Sequence, residues 1–223
     1  MQNELFEAAL GVAKPWYVNA VDFDADKKTL TISIDFVAGT RFPAAGGVGE
    51  HPVYDTQIKR MRHLNFFQHE CFLDVRTPRV KTPDGKVVQY EPDWFGKLAG
   101  FTLLFVALVL AMAQQMTFAA VAKLVGESWH RVHTICSRYV DIALAEADLS
   151  AVSAVAIDET SCRRGHNYLT IAADMGERKV VFVTDGKDAK TVGAFAEYIV
   201  AHKGAPDQIT SVSIDMSPAF IKG

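Results

Sequence analysis

Apolar and polar residues alternate along residues 16–23 and again along 29–36. A period of two is the pattern of a half-buried β-strand, and the polar residues between the two segments favour a turn. A second pair of strand-like segments, 72–77 and 87–90, flanks a Pro-Asp-Gly sequence at 83–85. Proline fixes φ there and glycine accepts positive φ, which is typical of a tight turn. The N-terminal part of the chain is therefore predicted to be β-rich.

The pattern changes to that of helices over residues 101–147. The most apolar stretch, 101–113, is shorter than the roughly 20 residues that a membrane span needs, so it predicts a buried helix. Farther on, Ala122, Gly126 and Val132 have the spacing of a helix-turn-helix motif. A small residue lets the helices approach, glycine takes the turn, and valine packs into the angle between them.

The second helix of that motif would begin after Ser128, whose side chain can cap it. Trp129, His130 and Arg131 lie in its first turns, where a recognition helix meets DNA. An ordinary helical hairpin produces the same spacing, so the pattern alone leaves DNA binding open.

The C-terminal part is predicted to run strand, strand, strand, helix, strand, at residues 152–157, 167–173, 179–184, 189–202 and 210–214. Asp158 follows the first strand and Asp215 follows the fourth. If the fourth strand returns beside the first and parallel to it, the two acids lie at one edge of the sheet.

Two adjacent carboxylates repel each other unless a cation lies between them. Oxygen ligands suit Mg²⁺ or Mn²⁺, and such ions can activate a water or a 3′-hydroxyl for phosphodiester cleavage. An aspartate after a strand also serves as a turn former, and Asp215 before Pro218 could cap a helix. Position alone leaves both interpretations open.

Composition narrows the class of protein. The 223 residues carry a formal net charge of −3, so nucleic-acid contacts must come from local basic patches. Cys71, Cys136 and Cys162 are odd in number and far apart, which favours neither a disulfide framework nor a zinc site and fits a reducing cytoplasm. No signal peptide and no membrane partner are expected.

Long motifs carry a resemblance to a known family. They lie at residues 62–70, 77–80, 100–105, 158–168, 181–188 and 212–223. Over residues 40–223 the chain resembles the ISL-three group of prokaryotic insertion-sequence transposases. The resemblance implies a DDE transposase that binds the DNA of terminal inverted repeats, and it leaves open whether the protein forms a homo-oligomer.

The implied fold class is multi-domain α+β. It comprises a β-rich DNA-binding region at residues 1–97, a helix-turn-helix region at 98–149, and a partial ribonuclease-H-like α/β core at 150–223. By matching motif, Asp158 and Asp215 are the first two catalytic acids and the ligands of Mg²⁺ or Mn²⁺.

The predicted DNA contacts outside the helix-turn-helix are basic residues. Arg163, Arg164 and His166 lie on the first hairpin of the core, and the N-terminal region carries Arg60, Arg62, Arg76 and Arg79 on its surface. Such side chains suit the phosphate backbone, although a solvated charged face has the same composition.

Two departures from the family pattern matter. Many relatives hold the N-terminal region with a four-cysteine zinc ribbon, but the corresponding segments, 42–46 and 82–85, contain no cysteine, so no zinc is expected. We expect instead a metal-free β ribbon kept together by aromatic and apolar side chains: Tyr54, Leu64, Phe66, Phe67 and Phe72.

The second departure is the third acid of the family, usually a glutamate well beyond the second. No acidic residue follows Asp215 in this sequence. The chain is therefore predicted to be a truncated transposase that is inactive by itself. A non-catalytic DNA-binding repressor of transposition is the alternative function, and a metal-dependent nuclease unrelated to transposition is a third.

Overall fold

The computed structural model describes residues 2–44, 49–163 and 167–215. The chain divides into two compact units, residues 1–140 and 141–223. The predicted domain boundary at 97/98 lies inside the first unit, which nevertheless contains two separate hydrophobic clusters, one in its sheet and one among its helices.

A six-stranded sheet forms the first part of the first unit. Its order is β1-β2-β5-β4-β3, with β6 beside β5, and only the β2–β5 pair is parallel. The strands are β1 (Trp16–Asp24), β2 (Thr29–Phe36), β3 (Arg41–Pro43), β4 (Glu50–Phe66), β5 (His69–Lys81) and β6 (Val87–Gln89). Both predicted strand pairs and the turn before β6 are confirmed.

A helix that the sequence analysis did not predict, α1 (Gln2–Leu10), precedes the sheet. Its polar side chains attach it to β1. Asn3 Nδ2 donates to the Val18 carbonyl at 2.9 Å, and Glu7 Oε1 accepts from the Val18 N–H at 2.8 Å. The helix thus depends on tertiary contacts as well as on its own sequence.

The core of this sheet is aromatic, but it contains other aromatic residues than predicted. Trp16, Phe36 and Phe42 are buried and their rings contact one another at centroid distances of 5.1–5.8 Å. The expectation that Tyr54, Phe66 and Phe67 hold the ribbon together is wrong, because all three are exposed. Tyr54 lies where the register of β4 and β5 shifts between Val53 and Asp55, and Phe66 and Phe67 lie at the hairpin turn.

Three helices follow the sheet along the chain: α2 (Leu103–Ala113), α3 (Phe118–Val125) and α4 (Trp129–Ala145). Thr102 and Thr117 cap α2 and α3 by accepting hydrogen bonds from Phe105 N and Ala120 N. Phe105, Val106, Val109, Val121, Val125, Val132 and Ile135 form their common core. No helix in the described part of the chain is long and apolar enough to cross a membrane.

The second unit is a four-stranded sheet with a helix on one face. Its order is β10-β7-β8-β9, and β10 is parallel to β7 while the other neighbours are antiparallel. The elements are β7 (Ala154–Arg163), β8 (Asn167–Asp174), β9 (Lys179–Asp185), α5 (Ala189–Ala201), the 3₁₀ helix Pro206–Gln208 and β10 (Ser211–Ile214). The predicted order of elements and the parallel return beside β7 are confirmed.

Candidate functional site

The structure brings Asp158 and Asp215 together at one end of β10. Ile157 and Ile214 are register partners in the adjacent parallel strands β7 and β10, and each is followed by one of the two aspartates. Register partners in a sheet project from the same face, and neighbouring strands lie about 4.8 Å apart. Both aspartates are exposed. Asp158 continues β7 and Asp215 directly follows the last residue of β10, so the two aspartates each follow one member of a register-matched pair.

The prediction that Asp158 follows the end of its strand is wrong in detail. The ladder between β7 and β8 continues past it, with Asp158 opposite Ile171 and Glu159 opposite Thr170. Strand pairing uses backbone groups, so it extends beyond the apolar run that ends at Ile157. Asp158 Oδ1 accepts a hydrogen bond from the Glu159 N–H at 2.7 Å, which orients the carboxylate.

Glu159 does not extend this pair of acids. Side chains alternate along a strand, so Glu159 lies on the face of Val155 and Ile157, which pack against Phe195 and Ile199 of α5. Its Oε2 is buried and has no hydrogen-bond partner among the residues that the structure describes. Asp158 lies on the opposite face.

The chemistry of the donor set fits a hard divalent cation, since carboxylate oxygens are the ligands that Mg²⁺ and Mn²⁺ prefer. Within residues 2–44, 49–163 and 167–215 there is no group of three or more histidine, cysteine, aspartate or glutamate side chains placed to hold a metal ion. Asp158 and Asp215 are the two carboxylates that the sequence predicts as ligands.

The helix-turn-helix pattern is confirmed in geometry. α3 ends at Val125, Gly126 takes the turn with φ of +73°, and α4 begins at Trp129. Ala122 and Val132 are both buried where the helices meet. Ser128 Oγ accepts from the Arg131 N–H at 3.3 Å, so it caps α4 as predicted.

The first turns of α4 present an aromatic and basic surface. Trp129 is 45% exposed and stacks on His133 with 5.1 Å between ring centroids, and His130 is exposed beside it. Arg131 is more constrained: it pairs with Glu127 at 2.7 Å, and its guanidinium lies 4.3 Å from the centre of the Phe101 ring.

Three of the predicted N-terminal arginines form ion pairs within the sheet. Arg60 pairs with Asp74 at 3.2 Å, and Arg76 pairs with Asp35 at 3.2 Å. In each pair the aspartate lies on a strand next to that of the arginine. Arg79 makes a two-pronged contact with Asp55. In two of these pairs, Arg60 with Asp74 and Arg79 with Asp55, the partners lie directly opposite each other in the register of β4 and β5. The acids reduce the net positive charge of this surface.

Arg62 is not on the surface, and the prediction that it contacts DNA there is wrong. The residue is 2% exposed. Its Nη1 donates to the carbonyls of His63 and Cys71 at 2.6 and 3.1 Å, and its Nη2 donates to Asn65 Oδ1 and to the Val125 carbonyl. Burial lowers the pKa of Arg62 from its ordinary value.

The predicted basic tip of the core hairpin lies largely outside the residues that the structure describes. Arg163 is the last residue of β7, and its backbone pairs with Asn167. Arg164 and His166 lie outside the described residues, as does the side chain of Arg163.

Comparison with known families identifies the chain. Residues 91–140 match the helix-turn-helix domain of transposase family ISL3. Residues 155–223 match the transposase domain of the same family. The chain belongs to the ISL3 family of transposases.

Curated relatives agree with this assignment. The chain is 27% identical to the transposase for insertion sequence element IS1001 of Bordetella parapertussis, over 99% of this chain and 54% of the relative. It is 29% identical to the transposase for insertion sequence element IS1557 of Mycobacterium tuberculosis, over 96% of this chain and 50% of the relative. The chain thus spans about half the length of these relatives. No solved structure matches it.

Proposed function

We propose that the chain binds the terminal inverted repeats of an insertion sequence and supplies Asp158 and Asp215 to metal-dependent DNA strand cleavage and transfer. The observation that carries the proposal is the parallel register of β7 and β10, in which Ile157 and Ile214 are partners and each is directly followed by an aspartate. Strand order β10-β7-β8-β9 with one parallel return supports a partial ribonuclease-H-like core.

In this proposal the two carboxylates hold Mg²⁺ or Mn²⁺. The ion, when bound, would polarise a phosphodiester and lower the pKa of an attacking water or 3′-hydroxyl. Asp158 is oriented by the Glu159 N–H, and the apolar β-sheet beneath fixes the separation of the strands. No zinc is proposed, because the segments 42–46 and 82–85 contain no cysteine.

DNA recognition is assigned to the start of α4. Trp129, His130 and Arg131 lie in the first turns of the second helix of the motif, which is the helix that enters the major groove in proteins of this class. Arg60, Arg76 and Arg79 are proposed as weaker phosphate contacts, since each is already paired with an aspartate. Arg163, Arg164 and His166 are proposed to contact phosphates near the acids.

A non-catalytic DNA-binding repressor is the second candidate. It is favoured by the absence of a third ligand-type side chain near the two aspartates among the described residues.

The test uses duplex DNA taken from the two flanks of the chain's own coding sequence, with an unrelated duplex of equal length as control. Binding is measured over a range of salt concentrations, and nicking is measured with Mg²⁺, with Mn²⁺ and with a chelator. Phosphate contacts make the affinity fall as salt rises.

Four outcomes separate the functions. Flank-specific binding with metal-dependent nicking supports the catalytic proposal, and flank-specific binding without nicking supports the repressor. Cleavage of both duplexes alike indicates a nuclease unrelated to transposition. Failure to bind or cut either duplex refutes all three functions for this chain.

A further inference from the structure

We propose that Arg62 is a positioning residue that attaches the turn of the helix-turn-helix to the β-sheet and so sets the direction of the recognition helix α4. The inference rests on the proposed DNA binding by α4. All the residues involved belong to the first compact unit. The proposal replaces the surface role that the sequence suggested for this arginine.

One guanidinium group joins two strands and a helix. Arg62 lies in β4, donates to the Cys71 carbonyl in β5, and donates to the Val125 carbonyl at the last residue of α3. A carbonyl at the end of a helix has no partner inside the helix, so a cationic donor there is favourable both as a cap and through the helix dipole. The end of α3 is thereby held against the sheet.

Glu127 carries the connection on to α4. Its carboxylate is largely buried, 3.8 Å from Arg62 Nε on one side and 2.7 Å from Arg131 Nη1 on the other. Burial raises the pKa of Glu127, which the two arginines oppose. The three side chains therefore form one ionic chain from the sheet, through the turn, to the first turn of the recognition helix.

Backbone hydrogen bonds also connect Arg62 to the segment that precedes α2. The N–H of Arg62 donates to the Gly100 carbonyl at 2.8 Å, and the Arg62 carbonyl accepts from the Thr102 N–H at 3.0 Å. Phe101, between these two partners, stacks under the Arg131 guanidinium. Arg131 is thus held by Glu127 and by Phe101, both of which lie next to Arg62.

The cost of burying Arg62 favours a role for this residue in positioning rather than in stability. Burying a charged side chain is expensive, and a well-packed apolar side chain often gives equal or greater stability at such a site. A planar fork with five donors, however, fixes the relative position of four acceptor groups in a way that an apolar contact does not. Base recognition needs that precision, because hydrogen bonds to base edges fail when the helix shifts or rotates.

The test compares Arg62→Met with Arg41→Met. Methionine keeps an unbranched apolar stem at the buried position and removes the guanidinium donors. Arg41 is an exposed arginine of β3, so its replacement changes the charge equally. Each variant is measured for binding to the flank duplexes and to the unrelated duplex. Arg62→Met is expected to lose about tenfold in affinity for the flanks, which is about 1.4 kcal/mol, and no more than Arg41→Met for the unrelated duplex.

Arg62→Lys separates positioning from phosphate contact. Lysine keeps the charge but cannot reproduce the fork, so it should behave like methionine if Arg62 positions the turn. Rescue by lysine, or an unchanged ratio of flank to unrelated affinity in Arg62→Met, would overturn the proposal. Should Arg62→Met fail to fold, Glu127→Gln provides the same comparison, because it removes the central charge and keeps the volume.

Hydrogen exchange gives a readout that needs no DNA and therefore distinguishes failure of this inference from failure of the proposed function. In Arg62→Met the amides of Glu127 and Arg131 should exchange faster, while those in the middle of β2 stay protected. Equal protection of the turn in wild type and variant would refute the attachment. Faster exchange at the turn would support it even if the wild-type chain bound neither duplex.

Discussion

Ile157 and Ile214 are partners in the parallel register of β7 and β10, and an aspartate directly follows each of them. Carboxylates in that arrangement repel in the absence of a cation. Asp158→Asn, which keeps an oxygen that can accept from the Glu159 N–H, should therefore leave the metal-free chain as stable as wild type or more stable, by about 0.5 kcal/mol.

Asp158→Asn and Asp215→Asn should both lose the stabilising effect of metal. Wild-type protein should be stabilised by Mn²⁺, by about 2.7 kcal/mol when the free ion is at a hundred times its Kd, whereas either variant should gain little. Thermal unfolding monitored by circular dichroism with and without Mn²⁺ makes the measurement, and Asp207→Asn in the 3₁₀ helix is the matched control. Full Mn²⁺ stabilisation in either aspartate variant would exclude the replaced aspartate as a ligand.

How much of the fold and of the candidate site could be predicted from the sequence depends on how far apart along the chain the interacting residues lie. The order of elements in the second unit follows from local periodicity, and it was predicted. The parallel pairing of β7 with β10 follows from one topological rule, and it was also predicted. The length of β7 was not, because backbone pairing continues past the apolar run into Asp158 and Glu159. Periodicity of side chains does not report on pairing that needs only the backbone.

The environment of the arginines was less accessible from the sequence. Arg60 and Arg79 find their aspartates across the sheet, which requires the register of β4 and β5 to be known. Arg62 is buried because the turn between α3 and α4 lies over it, a contact across 63 residues of sequence. An Arg in a strand that alternates with other basic residues carries no local signal of such burial.

The aromatic residues of the sheet give a direct test of the corrected core. Phe42 is 2% exposed and contacts Trp16, so Phe42→Ala should cost about 3–5 kcal/mol. Phe67 is 86% exposed at φ of +53°, a conformation that asparagine adopts more readily, so Phe67→Asn should change stability by no more than about 0.5 kcal/mol.

Tryptophan fluorescence during denaturation measures the stability of the first unit in both variants. All three tryptophans, Trp16, Trp94 and Trp129, lie in that unit. Equal losses of stability in the two variants would contradict the assignment of the core.

Gly126 tests the turn of the helix-turn-helix. Its φ of +73° disfavours alanine by about 1–2 kcal/mol, and Gly39 with φ of +83° should show a similar cost on substitution. A Cβ at Gly126 would also meet the Glu70 carboxylate, the end of a flexible and partly exposed side chain that can move aside. The two alanine variants should therefore lose similar stability by tryptophan fluorescence.

The Gly126→Ala and Gly39→Ala variants should differ in their affinity for DNA. Gly126→Ala displaces Glu70 from Arg62 and disturbs the turn before α4, so it should lose affinity for the flank duplexes, whereas Gly39→Ala should retain it. Identical affinities would show that the turn tolerates this change.

His63 gives a pH dependence whose sign follows from burial. Desolvation, with a smaller contribution from Arg62, lowers the pKa of His63 from 6.5 to about 4. Its Nδ1 lies 2.9 Å from Thr102 Oγ1, which already accepts from the Phe105 N–H and so has its own proton free to donate to a neutral ring.

Because the folded pKa is the lower one, the unfolded chain takes up the proton first as pH falls. Stability of the first unit should be fully present above pH 6.5 and should decline between pH 6.5 and about 4, by at most about 1.4 kcal/mol per pH unit from this residue. His63→Gln should flatten that slope in tryptophan-monitored denaturation, and His130→Gln, which changes an exposed histidine, should leave it. A slope unchanged by His63→Gln would show that the protonation of this ring is not coupled to folding.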